Sequence, residues 1–177
     1  MKPLSRNGLT LVELMVAMAL SLLVLGGVLG TVLFISRTSI RISNYSVMEQ
    51  QTTRSLELLA RELRMAQSVT SSGSPITQIT LAVPNATSGS YNVAYTYNST
   101  TRTFSRQQAG HSATIIVSDI VPGAFSLQRY DYNQQPASTD YDTKQLQITM
   151  TLSPDNKGLV ASTSKRVISS RFVLRNR

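Results

Sequence analysis

Hydrophobic and polar positions change pattern twice along this 177-residue chain, and each change predicts an element. Leu14 to Ile35 (LMVAMALSLLVLGGVLGTVLFI) is a run of 22 uncharged, mostly apolar residues. At about 1.5 Å per residue it is long enough to cross a hydrocarbon core of roughly 30 Å. Beyond Ile35 the chain turns polar but stays free of Pro and Gly until Gly73, and Tyr45, Met48, Thr52, Leu56, Leu59, Leu63 and Ala66 recur at spacings of three and four. That spacing predicts one buried stripe on a helix that continues the apolar run. The whole helix is expected from about Leu9 to Ser68, about 90 Å in length, with residues 9–35 as its transmembrane part and residues 36–70 as its amphipathic continuation. Arg54, Glu57, Arg61, Glu62 and Arg64 are expected on the face opposite the stripe, with Glu57 and Arg61 at i,i+4. Ser71-Ser72-Gly73-Ser74-Pro75 should end it.

From Ile76 the period shortens to alternation. Ile76–Val83, Tyr91–Tyr97, Thr101–Arg106, Ala113–Ser118, Phe125–Tyr132, Leu146–Leu152 and Arg166–Leu174 read as antiparallel strands between turn-rich segments. The expected class is therefore α+β, with a long N-terminal helix whose amphipathic half packs on an antiparallel β-rich head over residues 76–177.

Composition adds two constraints. The chain has no cysteine, so neither a disulfide framework nor a thiolate metal site is available and the head must stand on its own core. Its formal charge is +8, and Lys165, Arg166, Arg171, Arg175 and Arg177 all fall in the last thirteen positions. A basic end suits an acidic partner, an anionic lipid or nucleic acid. Nucleic-acid binding would normally bring a recognisable fold or clustered aromatics, so contact with another protein is the leading expectation for this end.

One charge breaks the apolar run: between Leu9 and Ile35 only Glu13 is ionisable. A carboxylate at a membrane helix position is costly unless it is paired. Lys2 and Arg6 precede it, and Ala17-Met18-Ala19 has the form of a signal-peptidase site, but cutting there would leave an apolar core interrupted by Glu13 and strand a 16-residue apolar run behind it. Signal-peptidase processing therefore fits this pattern poorly, and a membrane helix is the better reading.

Asn7-Gly8-Leu9-Thr10-Leu11-Val12-Glu13-Leu14-Met15-Val16-Ala17 resembles the prepilin cleavage and methylation motif of type IV pilins and type II secretion pseudopilins. The resemblance implies an eight-residue leader (1–8), a cut between Gly8 and Leu9 by a prepilin peptidase, and N-methylation of Leu9, where most relatives have phenylalanine. It makes Glu13 the glutamate that meets a neighbouring subunit's N-terminal amine and fixes the filament's axial stagger. It also implies a single-pass protein of the bacterial inner membrane, leader in the cytoplasm and head in the periplasm, which then enters a pilus or periplasmic filament. Its partners would be other pilins or pseudopilins and an inner-membrane assembly platform, with no cofactor and no catalytic step.

Gly26, Gly27 and Gly30 would serve either close helix packing or local weakness, in place of the proline common in major pilins. Leu58 to Ala66 and the ending Phe172-Val173-Leu174-Arg175-Asn176-Arg177 resemble PilW-like minor pilins, with J-type pseudopilins second. A membrane-tethered sensor or binding domain is the alternative of another class.

Other chemistry is sparse. The single histidine, His111, sits between Gly110 and Ser112 and reads as a loop residue. Asp131, Asp140 and Asp142 could offer oxygens to calcium, but the glycine and terminal glutamate of a calcium-binding loop are missing, and a solvated turn is the better reading.

Overall fold

The computed structural model describes residues 10–85, 89–153 and 165–174. The chain divides into two units, Met1–Ile42 and Ser43–Arg177. Helix α1 spans Leu11–Met65 and contributes to both.

In the first unit α1 runs unbroken through Gly26, Gly27 and Gly30, and a Cβ added at any of them would meet nothing within 4 Å. Ser21, Thr31 and Thr38 donate their hydroxyls to the carbonyls of Ala17, Gly27 and Phe34, one turn earlier, so these polar side chains are satisfied within the helix. The large apolar side chains from Leu11 to Ile35 are 53% to 75% exposed. Among the described residues of their own unit nothing covers them, unlike the mostly buried core helix of a soluble protein.

The second unit begins with the rest of α1 and continues through eight strands. β1 (Ser68–Ser72), β2 (Gln78–Asn85), β3 (Gly89–Asn98), β4 (Thr103–Gln108) and β5 (Thr114–Val117) form a five-stranded antiparallel sheet in chain order. β6 (Ile120–Tyr130), β7 (Gln145–Leu152) and β8 (Arg166–Val173) form a second, three-stranded antiparallel sheet. Alternation is clearest in β2 and β7, where every second residue is buried: Ile79, Leu81 and Val83 in one, Leu146, Ile148, Met150 and Leu152 in the other. These residues join Met48, Leu59 and Leu63 of α1 in one core. Each fully buried aliphatic side chain contributes about 1.5–3 kcal/mol, so tertiary packing, not propensity alone, holds this half of α1.

Two features join the sheets. Phe125 of β6 stacks on Tyr97 of β3 with ring centroids 4.2 Å apart and packs against Phe104 of β4 at 5.5 Å. Arg102 in the β3–β4 turn, held at φ 58°, donates Nε to the carbonyl of Ile120 and Nη2 to that of Ser153. The turn itself is fixed by Asn98, whose Oδ1 accepts the backbone N–H groups of Thr100 and Thr101.

The helix expected as far as Ser68 stops at Met65, and Ser68–Ser72 is an additional strand. Val69 explains the switch: it is 1% exposed and sits opposite Leu81 in the β2 ladder, a burial that a continuing helix would forgo. The sheet thus starts eight residues before Ile76. Tyr45, expected in the stripe, is exposed, and Leu56 is only partly buried. Ser55 takes a place in the stripe instead, donating its hydroxyl toward the Ile116 carbonyl of β5 at 2.6 Å.

Asp140, considered above as a calcium ligand, is spent on structure. Its carboxylate accepts the backbone N–H of Ser71 at 3.2 Å and the Ser71 hydroxyl at 2.7 Å, and it pairs with Arg129. Burial raises its pKa, but the hydrogen bonds from Ser71, with the Arg129 charge behind them, outweigh burial and leave it below the usual carboxylate range. A folded state that holds this proton less tightly than the unfolded state gains stability as pH rises. The contribution is complete above the unfolded value near 3.9 and disappears as pH falls through the folded one. Asp140→Asn should therefore cost about 1 kcal/mol at neutral pH, and the gap should close below about pH 4. Thermal denaturation of the two proteins across pH measures this; a gap independent of pH would refute it.

Candidate functional site

Gly8 and Leu9 lie outside the described residues. The described part of the motif starts at Thr10, and there the local geometry is specific. Glu13 Oε2 accepts the backbone N–H of Thr10 at 2.8 Å and its hydroxyl at 2.9 Å, while the Glu13 backbone N–H donates back to Thr10 Oγ1 at 3.3 Å. This reciprocal arrangement is a capping box. Thr10 is the N-cap, Glu13 is the third helical residue, and two N–H groups that the first turn of any helix leaves without partners are satisfied at once. The carboxylate also lies beside the positive end of the helix dipole. Its second oxygen, Oε1, has no hydrogen-bond partner among the described residues.

The capping role of Thr10 is one that the sequence reading passed over. The signal was present in Thr10-Leu11-Val12-Glu13, which has the Thr-x-x-Glu form of a capping box ahead of an apolar run. One oxygen of the motif glutamate is therefore satisfied locally, within the first turn of α1.

A second constellation lies in the head. Glu62, expected on the solvent face of α1, is 2% exposed. Arg106 of β4 donates to its Oε1 through Nε at 3.0 Å and Nη2 at 2.6 Å, and the Tyr95 hydroxyl of β3 donates to its Oε2 at 2.6 Å. Hydrogen bonding to Glu62 raises the Arg106 pKa further above its ordinary value. Burial, followed by the hydrogen bond to Glu62, raises that of the Tyr95 hydroxyl, which stays protonated and donates. A carboxylate this deep in the core is tolerable only with such partners. The helical spacing did hold the clue, since Ser55, Leu59, Glu62 and Ala66 follow one another at intervals of four, three and four, and all four are buried. Tyr95→Phe should cost about 1.5 kcal/mol, as a hydrogen bond to a charged group is lost while Arg106 still holds the carboxylate. Chemical denaturation of the folded chain would read it, and an unchanged midpoint would count against the cluster.

His111 is exposed in the turn after β4, where its backbone N–H donates to the Gln108 carbonyl. Among the described residues no group of three or more His, Cys, Asp or Glu side chains is placed to hold a metal ion.

The described chain has a pilin-like α+β architecture, a long N-terminal helix whose later turns pack on antiparallel sheet. Residues 4–29 match the family model described as the prokaryotic N-terminal methylation motif. The chain thus carries an N-terminal methylation motif of the prepilin type, consistent with type IV pilins and pseudopilins, which overlaps the start of a helix long and apolar enough to span a membrane. No curated protein and no solved structure matches the chain.

Proposed function

We propose that this protein is a processed structural subunit of a type IV pilus, a minor pilin of the PilW kind, with a J-type pseudopilin of a secretion filament as the second reading. The observation that carries the proposal is the methylation motif of residues 4–29 on a helix whose apolar surface from Leu11 to Ile35 is uncovered in its own unit. Such a surface suits a bilayer first and a bundle of like helices afterwards. In this reading a prepilin peptidase cuts between Gly8 and Leu9 and the new N-terminus is methylated. The head stands in the periplasm and the leader in the cytoplasm, with an assembly platform drawing the subunit from the inner membrane. The subunit carries no catalytic step of its own.

The capping box gives Glu13 two tasks. Oε2 holds Thr10 and the helix start, while Oε1 is left to accept a neighbour's N-terminal ammonium, the pairing that sets the stagger. Gly26, Gly27 and Gly30, with open space around each, would let neighbouring helices approach closely. The shared chemistry of pilins and pseudopilins leaves the processing unchanged between the two readings, and the PilW preference rests on the resemblance of Leu58 to Ala66 and of the ending Phe172 to Arg177.

Mass analysis of the N-terminal peptide, from protein isolated from its host, tests the proposal. The expected peptide begins at Leu9 and carries one methyl group, and Gly8→Val should retain residues 1–8. An N-terminus at Met1, or an unmethylated one elsewhere, would refute the reading and favour a simple membrane tether.

A further inference from the structure

Two arginines stand just past the apolar run, on one face of α1. Arg37 and Arg41 belong to the first unit, both are exposed, and neither forms an ion pair among the described residues. At i,i+4 their Cβ atoms are roughly 5–6 Å apart. Two like charges so placed repel each other, and an anion set between them removes that cost.

Their depth follows from the length of the run. Leu14 to Ile35 covers about 33 Å at about 1.5 Å per residue, against a hydrocarbon core of roughly 30 Å, so a spanning α1 brings Ile35 near the edge of that core. Beyond the edge the headgroup layer is about 5–8 Å deep on each side. Along the axis Arg37 and Arg41 come about 3 and 9 Å past Ile35. Cα–Cβ bonds tilt toward the N-terminus of a helix, which at this end is the bilayer side, and a long arginine stem carries its guanidinium the same way. Both charges therefore reach the level of the lipid phosphates.

The neighbouring surface fits the rest of a lipid. Phe34, Ile35, Thr38, Ser39 and Ile42 line a shallow groove of about 260 Å³ on the adjoining face of the helix. Its threonine donates its hydroxyl to the Phe34 carbonyl and so stays within the helix. Charge selects the occupant. A second copy at the same depth would bring Arg37 and Arg41 against their own kind, and the nearest carboxylate along α1, Glu49, is already paired with Arg166. A phosphodiester has two unesterified oxygens that match the planar guanidinium fork. We infer that Arg37 and Arg41 clamp the phosphodiester of an anionic phospholipid, with the upper part of its acyl chains in the groove beside them. In a zwitterionic headgroup the ammonium offsets the phosphate, whereas in an anionic one the phosphate charge is left for the arginines. The inference rests on the membrane-spanning reading of α1 proposed above, and not on entry into a filament.

The test places the full chain in nanodiscs of equal phosphatidylglycerol and phosphatidylcholine and counts, by native mass spectrometry, the lipids that the released protein keeps. Phosphatidylglycerol should be kept over phosphatidylcholine by about thirtyfold, on the order of fivefold for each arginine. Arg37→Gln together with Arg41→Gln should bring the ratio near parity. Lysine at both positions should keep part of the preference, because the charge stays while the bidentate fork is lost. Arg175→Gln with Arg177→Gln, at the other basic end of the chain, should leave the ratio unchanged. Equal retention of the two lipids by the parent chain, an unchanged ratio in the Arg37 and Arg41 double variant, or a ratio that falls with Arg175 and Arg177 would each overturn the inference. A chain that enters no nanodisc would refute the membrane-spanning reading, and the inference with it.

Discussion

Arg106→Ala should destabilise the head by about 3 kcal/mol or more, the largest stability effect expected of the ion pairs among the described residues. The reason is asymmetry. Arg106 is itself partly exposed, its side chain keeping 20% of its accessible surface, whereas the carboxylate it neutralises keeps 3%. Removing the guanidinium leaves a charge inside the core with, among the described residues, only the Tyr95 hydroxyl as a hydrogen-bond partner. Glu62→Gln should cost less, since a neutral amide can accept from Tyr95 and leaves only the more exposed partner unpaired. Replacing Glu62 and Arg106 together with Leu and Met should recover much of the loss, because an apolar pair of similar volume has no charge to desolvate. Chemical denaturation followed by circular dichroism would rank the variants. Equal stability of Arg106→Ala and the parent protein would show that water or rearrangement screens Glu62.

On the filament reading proposed above, Glu13→Ala should leave cleavage after Gly8 largely intact and reduce incorporation into filaments about tenfold or more, since that reading leaves a neighbour's ammonium without its counter-charge. The readout is the ratio of processed subunit in sheared filaments to that in the membrane fraction. Thr10→Val separates the two tasks of the glutamate. It removes the hydroxyl arm of the capping box but keeps the carboxylate, so it should fray the first turn, seen as faster amide exchange at Leu11 to Glu13, while incorporation falls less. Normal filament entry by Glu13→Ala would refute the pairing role, and an assembly defect in Thr10→Val as large as that of Glu13→Ala would place the glutamate's importance in the cap.

Much of the fold was legible because its periods are simple. The apolar run and the three-and-four spacing predicted α1, and the alternation from Ile76 onward predicted seven of the eight strands in their approximate places. The strand β1 was hidden for a physical reason. Ser68-Val69-Thr70-Ser71-Ser72 has one large apolar residue, so its identity comes from pairing with β2, a long-range contact that local pattern does not encode. Glu62 was misplaced because its residue type was weighed over its spacing: a glutamate reads as solvent-facing until Arg106, 44 positions away, is brought to it. At the N-terminus the balance was reversed. Glu13 was conspicuous as the lone charge, while its immediate partner Thr10 passed as an ordinary polar residue, although both halves of the capping box lie within four positions.

Every ladder in the head joins strands that are consecutive in the chain, from β1 through β5 and again from β6 through β8. Loops between them are short compared with the separation of Glu49 from Arg166, 117 positions, or of Glu62 from Arg106. Closing a short loop costs less entropy than closing a long one, and local pairings of this kind favour rapid folding. The two meanders thus close over short loops and, in a cysteine-free chain, need no oxidant, whereas the ties of Glu49 and Glu62 from α1 to Arg166 and Arg106 are the ones that close long stretches of chain.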